Sequence, residues 1–134
     1  MTRRLTPEWD LQEAVVAELR LRTVKPARFW FCPNGGNLTK MMRFRFQKMG
    51  LTSGVPDLHF VWSGPEQVIG KDGEPFTSDV ARYGVIELKA GKGKTSEAQN
   101  EFLQDMAILG HRYAVENRAD DVMQTLRRWG FPLR

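Results

Sequence analysis

The run Tyr83-Gly-Val-Ile-Glu-Leu-Lys-Ala90 is apolar except for one acid and one base two residues apart, and the earlier run Gly54-Val-Pro-Asp-Leu-His-Phe-Val-Trp62 carries another acid at its head. Both have the length and β-branched or aromatic content of strands, in which successive side chains point to opposite faces. Glu87 and Lys89 therefore share one face, while Ile86 and Leu88 take the other. Two acids and a lysine are gathered in this way. A carboxylate pair is a hard-oxygen site of the kind Mg²⁺ uses, with water and substrate phosphate completing the shell. A lysine beside it can orient or activate a water, which is the equipment of metal-assisted phosphodiester cleavage.

Glu-x-Lys alone says little, since chance supplies it in roughly one of every two or three chains of this size. Its plain alternative is a surface ion pair on an edge strand. Position inside an apolar strand weighs against that, because a charged pair is kept from water only with a partner or a function. Asp57 follows Pro56 and could be a turn residue. The apolar Leu58-His-Phe-Val-Trp62 after it places it instead at the start of a strand.

At 134 residues the chain has the length of one domain, spanning 1–134. Twenty Lys and Arg against sixteen Asp and Glu give a net charge of +4, which suits a polyanionic partner without proving one. Cys32 is the single cysteine, so no intrachain disulfide forms, and a reducing compartment is expected. The N-terminal residues have no apolar leader core and no stretch reaches membrane-spanning length, so a soluble, cytoplasmic protein with no membrane partner is expected.

Working outward, Thr6-Pro7-Glu8 reads as an N-cap, a first-turn proline and an acid suited to a helix start, opening a helix to about Arg22. Trp9, Leu11, Val15, Val16 and Leu19 form its apolar arc, with Glu13 just beyond the edge. A short strand over Ala27–Cys32 ends at the turn Pro33-Asn-Gly-Gly36. Asn37 is expected to cap a helix through Met49, with Leu38, Met41, Met42 and Phe46 inward and Lys40, Arg43 and Gln47 on a polar face. That face is a candidate for phosphate contact or simply a solvated surface.

Strands at about 57–62 and 83–90 are separated by Ser63 to Arg82, which contains the turn signal Asp72-Gly73 and reads as a hairpin extension or a mobile loop. Ser96 caps a helix with Ala98, Phe102, Met106 and Leu109 as its stripe and Gly110 as its stop. His111 to Glu116 is a further strand, and Asn117 caps a last helix that turns Val122, Leu126 and Trp129 to the core. The order α-β-α-β-β-α-β-α predicts an α/β fold, a mixed sheet flanked by helices.

Gly91-Lys-Gly-Lys94 is a flexible basic loop running into a helix N-terminus, where free N–H groups favour phosphate, so Lys92 and Lys94 are either phosphate contacts or solvated charges. Ser96-x-x-Gln99 is a capping box, and capping alone could account for Gln99. His59 and His111 lack ligand spacing to each other or to Cys32, which argues against zinc, although His59 shares a strand face with Asp57. No Gly-rich nucleotide loop, serine elbow or thiol nucleophile motif is present.

Gly54-Val-Pro-Asp57-Leu58, Glu87-Leu-Lys89, Gly93-Lys-Thr-Ser-Glu-Ala-Gln99, a Glu13-bearing first helix and the terminal Gly110-His-Arg-Tyr-Ala-Val115 strand together resemble the virus-type replication-repair nuclease (VRR-NUC) family of PD-(D/E)xK nucleases. The likeness runs from about Glu8 to Trp129 and departs in the long Ser63 to Arg82 segment, where many small members have a shorter connection. It implies a restriction-endonuclease-like fold and an Mg²⁺- or Mn²⁺-dependent endonuclease of branched DNA, such as four-way junctions, that leaves 5′-phosphate and 3′-hydroxyl ends and acts as a homodimer. It also implies Asp57, Glu87 and the Leu88 carbonyl as metal ligands, Lys89 as the catalytic lysine, and Glu13 and Gln99 as supporting active-site residues. A catalytically silent branched-DNA-binding module and an RNA-directed nuclease are the alternatives, and nothing in the sequence reads a 2′-hydroxyl.

Overall fold

A computed structural model describes residues 7–33 and 39–134. The expected cap Thr6, the turn residues 34–36, the expected cap Asn37 and the inward-facing Leu38 lie outside the described residues. The elements are α1 (Pro7–Arg22), β1 (Arg28–Phe31), α2 (Lys40–Lys48), β2 (Leu58–Ile69), β3 (Pro75–Leu88), α3 (Glu97–Ile108), β4 (Arg112–Glu116) and α4 (Ala119–Trp129), in the expected order. The strands lie in the sheet order β1-β2-β3-β4. The first three pair antiparallel, and β4 runs parallel to β3 after the α3 crossover. No described helix is long and apolar enough to cross a membrane.

Strand alternation divides the sheet into two unlike faces. Leu58, Phe60, Ile86 and Leu88 point to one of them and pack with Val15 and Leu19 of α1 and Val122, Met123 and Leu126 of α4. Each such side chain, fully buried, contributes about 1.5–3 kcal/mol, so this face carries the stability. Trp62 and Trp129 stack there with ring centroids 6.2 Å apart, and Phe131 meets Phe60 edge-on. Gly84 makes room for that stack, since a Cβ on it would lie 2.6 Å from the Trp129 ring. Asp57, His59, Val85 and Glu87 take the opposite face, where α3 brings Gln99 against Glu87.

Three local expectations change. Helix α2 begins after Thr39, whose hydroxyl accepts from the Met42 N–H, rather than at Asn37. It buries nothing: Met41 and Met42 are exposed and Phe46 is only half-buried. Lys40, Arg43, Arg45 and Lys48 spread over more than half its circumference, so laying it on a sheet face would strip water from a charge. In α3 the inward residues are Gln99 and Leu103, and Leu109 is exposed because, at about 100° per residue, it lies roughly a quarter-turn or more round the helix from them. In α4 the cap position falls on Arg118, which makes no side-chain capping bond, and not on Asn117.

The segment between the two central strands is a hairpin extension. Pairing of β2 with β3 continues to Ile69↔Pro75. The turn is closed by Gly70 N–H to Glu74 O and by Asp72 Oδ1, which accepts from the Glu74 N–H. Strand β1 pairs β2 only as far as Val61, and beyond that point the two-stranded ribbon leaves Ile69 and Phe76 exposed.

Candidate active site

Asp57 precedes β2 and Glu87 is the penultimate residue of β3. The register Leu58↔Ile86 sets them beside each other on the α3 face. The Leu88 N–H donates to Asp57 Oδ2 at 2.9 Å, fastening the two strand ends together. The Asp57 carbonyl takes the Cys32 N–H at 2.8 Å, which ties β1 to the same point.

Glu87 is 2% exposed, an unusual place for a carboxyl group. Its Oε1 accepts from Gln99 Nε2 at 2.8 Å and lies 3.6 Å from Lys89 Nζ. Its Oε2 is buried with no donor to it, and the Asp57 carboxyl stands within hydrogen-bonding reach of the Glu87 carboxyl. Burial, then the neighbouring Asp57 charge, push the Glu87 carboxyl up to about 8, against the opposing pull of Lys89. Asp57 is also raised, mainly by burial, with the Leu88 N–H working in the other direction. Two acids this close, one buried and one half-buried, call for a proton or a cation between them. An orphaned carboxylate oxygen beside a second carboxylate fits a hard cation.

No group of three or more His, Cys, Asp or Glu that could hold a metal exists among the described residues. The protein donors would then be the two carboxylates and a backbone carbonyl such as that of Leu88. Mg²⁺ commonly binds through one or two carboxylates, keeping water and substrate oxygens for the rest.

Gln99 has two tasks. Its Oε1 accepts from the Ser96 N–H at 2.8 Å while its own backbone N–H donates to the Ser96 hydroxyl at 3.2 Å, the reciprocal capping box. Its Nε2 is thereby aimed at Glu87. The first turn of α3 also packs on the loop before Asp57, because Gly54 has φ +80° and a Cβ there would fall 2.3 Å from the Ala98 carbonyl. Cap and glycine together bring Gln99, Asp57 and Glu87 into one cluster.

The charge of Glu8, in the first turn of α1, acts on Asp57 and helps to raise its pKa. Glu13 is exposed. From the sequence, Glu8 reads only as an acid suited to a helix start.

His59 is not an open metal ligand. Its Nε2 lies 3.0 Å from the Pro56 carbonyl, which can only accept, so Nε2 carries the proton and Nδ1 accepts from the Tyr83 hydroxyl. Burial lowers its pKa and keeps the ring neutral. Lys92 and Lys94 are exposed in the loop after Lys89, and Lys40 is exposed at the start of α2. Arg43 lines a cleft of about 310 Å³ with Gln47, Thr52, Ser53, Ser96 and Gln99, one side chain away from Glu87.

A solved structure described as a VRR_NUC domain protein superimposes on 95% of this chain and 90% of its own, with a TM-score of 0.64 and 20% sequence identity. The chain has the VRR_NUC fold. The expected mixed sheet flanked by helices is thus the architecture of that protein as well. No family model and no curated protein matches the sequence.

Proposed function

We propose that this chain is an Mg²⁺- or Mn²⁺-dependent DNA endonuclease. The observation that carries the reading is the pairing of buried Glu87 with half-buried Asp57, with one Glu87 oxygen lacking a donor and Lys89 beside it. The VRR_NUC fold supports it. A bound divalent ion would polarise the scissile phosphate and acidify a water. Asp57, Glu87 and the Leu88 carbonyl would hold that ion. Gln99 fixes the Glu87 carboxylate through Oε1, leaving Oε2 free to ligate. Lys89 would position the attacking water and stabilise charge on the phosphorane. The test is a panel of labelled branched DNAs, linear DNAs and RNAs incubated with and without Mg²⁺ or Mn²⁺. Cleavage of DNA only with metal is the expected result, and binding without cleavage would leave a silent binding module.

Lys92 and Lys94, with Lys40 and Arg43 after them, are proposed phosphate contacts. Replacing Lys92 and Lys94 together by alanine should weaken DNA binding whatever the sequence and flatten the salt dependence by roughly one unit of slope for each phosphate no longer neutralised. Unchanged affinity and slope in a titration from low to moderate salt would reduce the loop to a solvated one.

A homodimer acting on branched DNA is the proposed working unit, because one chain holds one catalytic set and two-fold pairing is the common way to present two. The interface would not draw on Trp62 and Trp129, which are spent in the core, while Trp9 is exposed. Light scattering at micromolar concentration should give twice the chain mass. A monomer both alone and with DNA would remove the paired-site reading.

A further inference from the structure

Four rings follow one another across one face of the sheet, from β1 through β2 and β3 to the residue before β4. Trp30 of β1 stacks on His59 of β2 with centroids 5.5 Å apart and planes 13° from parallel. His59 meets Tyr83 of β3 at 5.9 Å, and Tyr83 meets His111 edge-on at 5.4 Å. The middle of the row is rigid, since His59 is 5% exposed and both of its nitrogens are hydrogen-bonded. Its outer end is not covered. Trp30 is 42% exposed although one face of the indole rests on the imidazole, so the side away from His59 is open.

The place of this row matters. His59 lies two residues beyond Asp57 on the same side of β2, about 7 Å at strand rise. The Trp30↔His59 register and the Cys32 bond to the Asp57 carbonyl set the indole beside that row. The ring that supports the indole is itself anchored to Pro56, the residue before Asp57. Arg28, two residues back and on the same side of β1, adds an exposed cation. An open indole with a fixed backing and a neighbouring cation is the pairing that takes a nucleobase and its phosphate.

A base inside continuous duplex has both π-faces occupied by its neighbours, whereas an unpaired base has one to offer. We propose that Trp30 is a specificity-determining residue that stacks one unpaired base adjoining the phosphate held at Asp57 and Glu87. It selects flapped or frayed DNA over continuous duplex. The proposal rests on the nuclease reading above and adds to it where the unpaired strand lies.

The experiment measures binding of the full chain in Ca²⁺, in place of Mg²⁺, to a hairpin duplex carrying 2-aminopurine in a short single-stranded flap and to the same duplex fully paired. Trp30→Leu keeps apolar cover on His59 but has no ring, and Trp30→Phe keeps a ring. Thermal melting confirms that both are folded. Trp30→Leu should weaken flap binding about 5- to 100-fold, leave duplex binding unchanged and abolish quenching of the 2-aminopurine, while Trp30→Phe retains most of both signals. Equal affinity of the Leu variant and the unaltered chain for the flap, or an equal loss on flap and duplex, would overturn the proposal. If the unaltered chain bound neither DNA, the nuclease reading itself would fall, an outcome distinct from either of these.

Discussion

Lys89→Ala is expected to reduce metal-dependent DNA cleavage by at least about 100-fold, the scale of losing one preorganised charge donor, and in practice to background. Lys89 lies just past the end of β3, after the last core residue Leu88, and among the described residues it pairs with Glu87 Oε1 at 3.6 Å. Nothing in the core depends on it. Melting temperature and most DNA affinity should therefore survive the substitution, so that loss of turnover reports on chemistry and not on folding. A folded Lys89→Ala chain that cut DNA at a near-normal rate would end the assignment of this lysine to the chemical step.

The second large effect is on stability, and it runs opposite to the usual carboxylate. Glu87 has a folded-state pKa of about 8 against an ordinary value of 4.5. Between those values the folded chain holds a proton that the unfolded chain has released, so stability falls as pH rises. The favourable contribution is complete below about pH 4.5 and lost as pH passes through about 8. A divalent cation would replace that proton. The metal-free chain should melt at falling temperature from about pH 5 to about pH 8, and Mg²⁺ or Mn²⁺ should restore stability most at the alkaline end. Glu87→Gln should flatten this slope, make the metal-free chain more stable near pH 8, and abolish both the metal response and cleavage. Asp57→Asn should also lose metal binding, and by removing the neighbouring negative charge it should lower the Glu87 pKa. Melting curves and calorimetry across this range decide the matter. Identical pH slopes for the unaltered chain and Glu87→Gln, with equal metal binding, would refute the site.

Much of this was legible before folding, and the parts that were not have specific causes. The Ser96 to Gln99 capping box is a local device closed within one turn, and it forms as read. The turn at Asp72-Gly73 is local too, but pairing of its flanks depends on residues up to about thirty positions apart, and only the folded register, continuing to Ile69↔Pro75, makes the segment a hairpin. Periodicity mispacked α2, because an apolar stripe says what could be buried and not whether a surface is free to bury it. The closeness of Glu8 to Asp57 depends on how α1 lies against strands some fifty residues away in the chain.

By itself the sequence determined the order of the elements, the alternation that sets Glu87 and Lys89 on one side, and the residues that start and stop α3, because each is decided by neighbours within a few positions. Tertiary structure alone decided the environment of those residues. It buried Glu87, oriented Gln99 onto it, left Oε2 without a donor, and locked His59 between Pro56 and Tyr83 beneath an open Trp30. Desolvation and charge coupling depend on distance in space, and the groups that set them here lie on different strands and helices.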